Sequence, residues 1–223
     1  MRKYLFNKFI FSFLLFLSFD LLFSQTQILT DIDGQAATDY SGYKVAISDD
    51  GTRIAIGEET ALGSQNVKIN ARGSGQVRIF DYSESGWVQV GSNIDGEGAG
   101  DLFGWPVSLS SDGTRLAVGA DNNDDKEIDA GHVRVYDYTA SGWSQICSDI
   151  DGEAQADKSG YSVSLAGDGT RIAIGAKYND GGGNNAGHVR VYEASSCSQV
   201  GADLDGVTAD DNFGYSVSIS DDG

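Results

Sequence analysis

The sequence is poor in proline and in positive charge. Pro106 is the single proline against 30 glycines, so tight turns have to be made by Gly, Asn and Asp, which tolerate positive φ. Lysine and arginine together number 15 against 33 aspartates and glutamates, and the formal net charge is −18. Such a surface repels nucleic acid and anionic lipid, which excludes nucleic acid as a partner and favours divalent cations or basic ligands.

Long hydrophobic runs are also scarce. The longest covers residues 9–19 and follows Arg2, Lys3 and Lys8. It is shorter than the about 20 residues that a membrane-spanning helix needs, and it has the pattern of a secretory signal peptide. An N-terminal membrane anchor is the alternative. We expect residues 1–24 to be a signal peptide and the mature chain to be secreted or at the cell surface, without membrane insertion.

A repeat unit governs the remainder of the chain, residues 25–223. Its marker is an Asp/Asn-hydrophobe-Asp-Gly tetrapeptide, followed by a second glycine eight residues later and a third nine residues after that. The marker glycines are Gly34, Gly96, Gly152 and Gly206. This register predicts repeats at approximately 26–87, 88–143, 144–197 and, truncated, 198–223.

Each repeat is predicted to form four short strands, A to D. In the third copy these lie at about 161–166, 170–176, 187–193 and 197–204. An Asp-Gly pair between A and B is a strong hairpin signal. Strand B alternates Ile172 and Ile174 with the small Ala173 and Gly175, a pattern typical of sheets that stack on both faces. No helical periodicity appears beyond the signal peptide.

These features predict an all-β fold, a β-propeller of four-stranded antiparallel blades that is incomplete, with about three full blades plus partial ones. A β-solenoid and a series of β-sandwiches are the alternatives. Residues 26–34 align with 144–152 and are expected to supply a lone D strand to a ring. The chain stops inside the A–B turn of its fourth copy, so we expect it to be the N-terminal part of a longer protein.

The two cysteines, Cys147 and Cys197, could pair in an exported chain. The repeat register places them in different blades, near opposite ends of outer strands. This geometry argues against a disulfide bond between them.

Four segments resemble the FG-GAP repeats of integrin α-chain propellers and their bacterial relatives. They are FGWPV at 103–107, LAVGA at 116–120, GHVRVY at 131–136 and FGYSV at 213–217. The resemblance implies a propeller with an integrin α-like role in cell adhesion. Ser41 and Ser159 replace the phenylalanine in two copies, and the calcium loop of the family is absent from the A–B hairpins. Integrin-style calcium sites therefore do not carry over.

Most of the excess acid falls in the D–A and B–C loops, which alternating strand directions place on one face. Within this face, oxygen side chains at alternate positions of one B–C loop suit a folded-back cation site. The candidate metal ligands for Ca²⁺ are Asp121, Asn123, Asp125, Glu127 and Asp129. Lys126 stands where an EF-hand loop has glycine, and the alternative is a solvated acidic loop.

Other recurring polar residues are expected to be structural. An aspartate three residues before the second repeat glycine should accept backbone N–H bonds and fix the turn into strand A. It occurs in every copy, as Asp39, Asp101, Asp157 and Asp211. The recurring arginines are interpreted as partners of these aspartates. His132 and His188 are expected to pack between blades rather than to ligate metal.

The sequence has no nucleophile elbow, phosphate-binding loop or histidine pair. We therefore expect a non-enzymatic module for extracellular binding or adhesion, with a protein or carbohydrate ligand at the cell surface and with calcium assistance. A propeller glycoside hydrolase or lyase is one alternative, and a structural surface array without a small ligand is the other.

Overall fold

The computed structural model describes residues 31–58 and 73–223. This part of the chain contains three antiparallel sheets and no helix, so no helix in it could cross a membrane. The first sheet comprises β1 (Lys44–Ile47), β2 (Arg53–Glu58), β3 (Gln76–Ser83), β4 (Gly86–Gln89) and β5 (Ile94–Asp95). The second comprises β6 (Val107–Leu109), β7 (Arg115–Ala120), β8 (His132–Thr139), β9 (Gly142–Gln145) and β10 (Ile150–Asp151). The third comprises β11 (Ser159–Leu165), β12 (Arg171–Ala176), β13 (His188–Glu193), β14 (Ser198–Gln199) and β15 (Leu204–Asp205).

Each sheet is one four-stranded blade, which confirms the predicted fold class. Strands A, B and C pair in sequence order, and strand D is split into two short segments that both pair with C. The split corrects the continuous D strand expected at 197–204. Gly91 and Gly201 lie in the breaks of the first and third blades with φ of 78° and 77°, a conformation that cannot continue a strand.

The signal peptide assigned to residues 1–24 lies outside the described residues, as does most of the proposed N-terminal D strand. The repeat limits stay predictions.

The blades stack face to face through the bulky side of strands B and C. Val77 and Ile79 of the first blade share a core with Leu116 and Val118 of the second, and all four are at most 1% exposed. Burial of each such side chain stabilises the fold by about 1.5–3 kcal/mol. The next interface is built from Val133, Val135, Ile172 and Ile174.

Glycines let the backbones of adjacent blades approach closely. A Cβ atom added to Gly119 in the second blade would lie 2.3 Å from the carbonyl oxygen of Gly160 in the third. The equivalent contacts of Gly57 and Gly175 would be 2.1 and 2.0 Å. The small side of strand B is therefore required by blade stacking, as its alternation predicts.

The strand B arginines connect neighbouring blades through hydrogen bonds, and we call each such contact an arginine clasp. Arg115 pairs with Asp137 of its own blade, Nε to Oδ1 at 2.6 Å, and donates from Nη1 to the Gly169 carbonyl oxygen at 2.7 Å. Arg53 repeats this arrangement with Asp81 and Gly113. The interpretation of these arginines as partners of the recurring D–A loop aspartates is wrong, because their carboxylate partners lie on strand C.

Cys147 and Cys197 form a disulfide bond between the second and third blades, with Cα atoms 6.1 Å apart. The argument against this pairing is wrong because it assumed a continuous D strand. Cys147 lies in the break between β9 and β10, and Cys197 lies in the turn before β14. Both pack against the hydrophobic core that the two blades share.

Candidate functional site

The D–A and B–C loops lie together on one face, as the strand directions predict. Backbone bonds join them: Ala156 donates to Ile128 at 2.9 Å, and Asp210 donates to Asn184 at 2.9 Å. Lys158 adds side-chain bonds to Asn122 and Asp129. We call this surface the loop face and define it by residues 96–106, 121–131, 152–158, 177–187 and 206–213.

The recurring loop aspartate has the structural role expected of it. In each of the four copies its Oδ2 atom accepts a hydrogen bond from the backbone N–H three residues earlier, at 2.5–2.9 Å. In two copies a buried asparagine of the B–C loop bonds to the same oxygen, as Asn123 does to Asp101 and Asn179 to Asp157, both at 3.0 Å. The aspartate thereby connects the D–A loop to the B–C loop.

The candidate calcium ligands of residues 121–129 point to different partners. Asp121 is buried, and desolvation raises its pKa to about 6. Asn123 is committed to Asp101, and its Oδ1 accepts the Asp125 N–H at 3.0 Å. Asp129 pairs with Lys158 at 2.8 Å.

Glu127 is exposed. Of the predicted set, Asp125 is the member that joins a cluster of metal-ligating groups among the described residues. Calcium binding by the whole set stays a prediction.

Asp125 belongs to a carboxylate–imidazole cluster in the second blade. The cluster comprises Glu97, Asp125, His132 and Asp149, with one ligand atom from each within 4.8 Å of the others. His132 is 1% exposed, and neither ring nitrogen has a hydrogen-bond partner. Its Nδ1 atom faces Asp149 Oδ2 at 3.4 Å.

Several ionisable groups lie close together in this cluster and shift one another's pKa. Burial, reinforced by Arg134, lowers the pKa of His132 to about 4, so the imidazole is neutral at pH 7. Desolvation and a side-chain hydrogen bond to Asp125 raise the pKa of Glu97. Arg134 contacts both Glu97 and Asp149, its Nε lying 3.0 Å from Asp149 Oδ2. The cluster thus sets three carboxyl groups against a single guanidinium.

The third blade repeats the cluster with one carboxylate fewer. Glu153, His188 and Asp203 lie together, and His188 is again 1% exposed. Its Nδ1 atom has no hydrogen-bond partner and lies 3.8 Å from Glu153 and 3.9 Å from Asp203. Gly181 stands at the loop position that Asp125 occupies in the second blade, since each donates its N–H to the loop asparagine.

The first blade has amides at the same positions. Gln76 replaces the histidine, Gln35 replaces the glutamate and Asn93 replaces the aspartate. Asn93 donates to Gln76 at 3.0 Å and to Gln35 at 3.1 Å, so these groups satisfy one another. The arginine of this blade is neutralised by the fully buried Glu58 instead.

The burial of both histidines agrees with the expectation that they pack between blades, but that reasoning missed their carboxylate neighbours. The available signal was a joint change of three repeat positions. Gln, Gln and Asn in the first copy become Glu, His and Asp in the next two. Each residue by itself looks unremarkable within its strand or loop.

Comparison with known proteins supports the repeat and the fold. Residues 87–136 match the FG-GAP repeat family. A candidate 6-phosphogluconolactonase of Bacteroides fragilis has a TM-score of 0.50 at 12% identity, covering 75% of this chain and 40% of that one. A Bacteroides uniformis protein of the same description has a TM-score of 0.47 at 14% identity, covering 72% of this chain and 40% of that one. Saccharomyces cerevisiae Sqt1 has a TM-score of 0.47 at 14% identity, covering 78% of this chain and 37% of that one.

The chain thus spans less than half of the length of these solved structures. No protein of curated function matches its sequence. At such low identities the likeness concerns the fold alone. The described residues therefore form consecutive β-propeller blades, and residues 87–136 of them are similar to the FG-GAP repeat.

Proposed function

We propose that this chain is an exported β-propeller module that binds a protein or carbohydrate ligand at the cell surface through its loop face. The observation that carries the proposal is the contrast between a uniform scaffold and variable loops. Strands A to C, the arginine clasps and the loop aspartates repeat from blade to blade. The B–C loops at 121–131 and 177–187 differ in sequence and charge, and binding residues on rigid scaffolds concentrate in such loops.

Charge and redox chemistry support the same proposal. Exposed carboxylates of the loop face, such as Glu127 and Asp210, suit a basic or cation-bridged ligand. The Cys147–Cys197 bond supports export, because disulfides persist mainly in oxidising compartments. Acidic groups of the described loops mostly recur at equivalent repeat positions, as Glu97 and Glu153 do, and this repetition favours binding over catalysis.

Charge reversal tests the binding face. The variant Glu127→Lys/Asp210→Lys changes exposed positions of the loop face, and Glu84→Lys/Asp49→Lys makes the same charge change in the C–D and A–B turns opposite. Both variants and the parent chain would be applied to arrays of immobilised polysaccharides and extracellular proteins. We expect the parent and the opposite-face variant to be retained by the same probe and the loop-face variant to be lost. Equal retention of all three, or of none, would contradict the proposal.

Calcium assistance is a separate part of the proposal. Oxygen donors from Asp121 to Asp129 would have to rearrange around a Ca²⁺ ion, which takes six to eight oxygen ligands. Binding should then raise the melting temperature of the full chain at millimolar Ca²⁺ relative to the same chain with a chelator. An unchanged melting temperature would remove calcium from the proposed function and leave ligand binding to be decided by the arrays.

A further inference from the structure

We infer that the second and third blades each bind a divalent transition-metal ion, through Glu97, Asp125, His132 and Asp149 in one blade and through Glu153, His188 and Asp203 in the other. The second-blade site shares Asp125 with the predicted calcium set of residues 121–129, and the third-blade site shares no residue with that set. Both sites stand independently of the proposed ligand recognition.

The first support is the state of the two histidines. An imidazole ring that is only 1% exposed normally has hydrogen-bond partners, because a buried polar atom without one is destabilising. His132 has none on either nitrogen, and His188 has none on Nδ1. In both blades Nδ1 is the atom that faces the carboxylates. A bound metal ion would satisfy this nitrogen.

The second support is distance. Two donor atoms bound tetrahedrally at about 2.0–2.1 Å from one Zn²⁺ ion are separated by about 3.4 Å. His132 Nδ1 and Asp149 Oδ2 are 3.4 Å apart. In the third blade the corresponding separations are 3.8 and 3.9 Å, which small side-chain rotations would close. The second blade is therefore closer to a preformed site.

The third support is the internal comparison with the first blade. There the three equivalent positions hold Gln35, Gln76 and Asn93, which bond to one another and bring no net charge. Where the histidine appears, both amide neighbours become carboxylates. Part of this replacement compensates for the loss of Glu58, since Ala120 and Ala176 stand at its position in the next two blades. Neutralising the arginine needs one carboxylate, however, and each cluster supplies two or three of them beside an unpartnered imidazole nitrogen, which is the combination that a cation site needs.

The ligand set defines the class of metal. One imidazole with two or three carboxylates suits Zn²⁺ and similar first-row ions, while Ca²⁺ prefers oxygen ligands alone. The guanidinium groups of Arg134 and Arg190 remain beside the carboxylates. A carboxylate has about four lone-pair positions, so Asp149 can keep its bond to Arg134 and still ligate an ion.

Zinc titration of the metal-free full chain, in competition with a chromogenic chelator, tests this inference. We expect two tight equivalents of Zn²⁺ that millimolar Ca²⁺ does not displace. His132→Gln and His188→Gln copy the first blade, and each should weaken one equivalent by more than about 100-fold. Glu127→Gln removes an exposed acid outside both clusters and should bind as the parent does. Co²⁺ in place of Zn²⁺ should show visible absorption that is lost in the double histidine variant.

Two results would overturn the inference. The parent chain could bind no tight Zn²⁺, or the double histidine variant could retain both equivalents, which would reduce the binding to general acidity. If a histidine variant fails to fold, Glu97→Gln and Glu153→Gln replace it, since these side chains are 51% and 46% exposed. Each should weaken its own site, and unchanged binding in both would equally contradict the inference.

Discussion

Arg115 of the second blade donates a hydrogen bond from Nη1 to the carbonyl oxygen of Gly169 in the third blade, at 2.7 Å. The same guanidinium holds Asp137 through Nε and Nη2, at 2.6 and 2.8 Å. One planar side chain therefore fixes strand B to strand C within a blade and to the A–B turn of the next blade. Lysine cannot reproduce this fork.

Arg115→Lys should reduce the free energy of unfolding by about 1–2 kcal/mol, because it loses both the bidentate pair and the bond between blades. Asp137→Asn is the matched control, since it weakens the pair and leaves the bond to Gly169. Urea unfolding of both variants gives the comparison. A loss in Arg115→Lys no larger than that in Asp137→Asn would mean that the bond to Gly169 contributes nothing.

Gly119→Ala should be strongly destabilising, by about 3 kcal/mol or more, because the added Cβ would lie 2.3 Å from the backbone of the third blade. Gly201→Ala separates this steric effect from backbone strain. Gly201 has φ of 77° and open space around it, so its substitution should cost about 1 kcal/mol. Thermal unfolding of the two variants measures the difference. Similar losses would contradict close stacking of the blades.

Asp157→Ala should lower the free energy of unfolding by about 2 kcal/mol, because it leaves the Ala154 N–H and the buried Asn179 amide without their shared acceptor. The exposed Asp211 has the equivalent bond to Thr208, at 2.9 Å. Asp211→Ala should therefore cost less. Denaturant titration of both variants tests this order, and an unchanged midpoint for Asp157→Ala would refute its role in the turn.

Reduction of the Cys147–Cys197 bond should destabilise the chain by about 2–4 kcal/mol, because the bond closes a loop of 50 residues in the unfolded state. The measurement is the melting temperature with and without a reducing agent. The double variant Cys147→Ala/Cys197→Ala should melt at the lower temperature in both conditions. A parent chain insensitive to reduction would indicate that the two thiols are not paired.

The main part of the fold is readable from the sequence because each blade depends on local signals repeated in register. Asp-Gly hairpins and the alternation of Ile172 and Ile174 with small residues specify strands A to C. The break in strand D is less readable, since Gly201 lies in an otherwise ordinary outer segment. The corresponding break in the second blade decides the disulfide bond, because Cys147 lies in it and meets the turn containing Cys197 of the third blade.

The candidate metal clusters are hidden from linear reading for a different reason. Glu97, His132 and Asp149 come from a D–A loop, strand C and the break in strand D, and no short motif contains them. These residues come together only when the D–A loop that precedes a blade packs against strands C and D of that blade. The signal becomes visible when the repeat copies are compared with one another. Gln35, Gln76 and Asn93 of the first copy change together to Glu, His and Asp in the next two. Periodicity within one copy cannot show it.

The most direct test of this account is an anomalous difference map recorded at the zinc absorption edge from crystals of the full chain grown with Zn²⁺. We expect consecutive four-stranded blades, one anomalous peak beside Nδ1 of His132, a second beside Nδ1 of His188, and none beside Gln76. Peaks confined to exposed loop carboxylates, or an equal peak beside Gln76, would contradict the assignment of chemistry to these repeat positions.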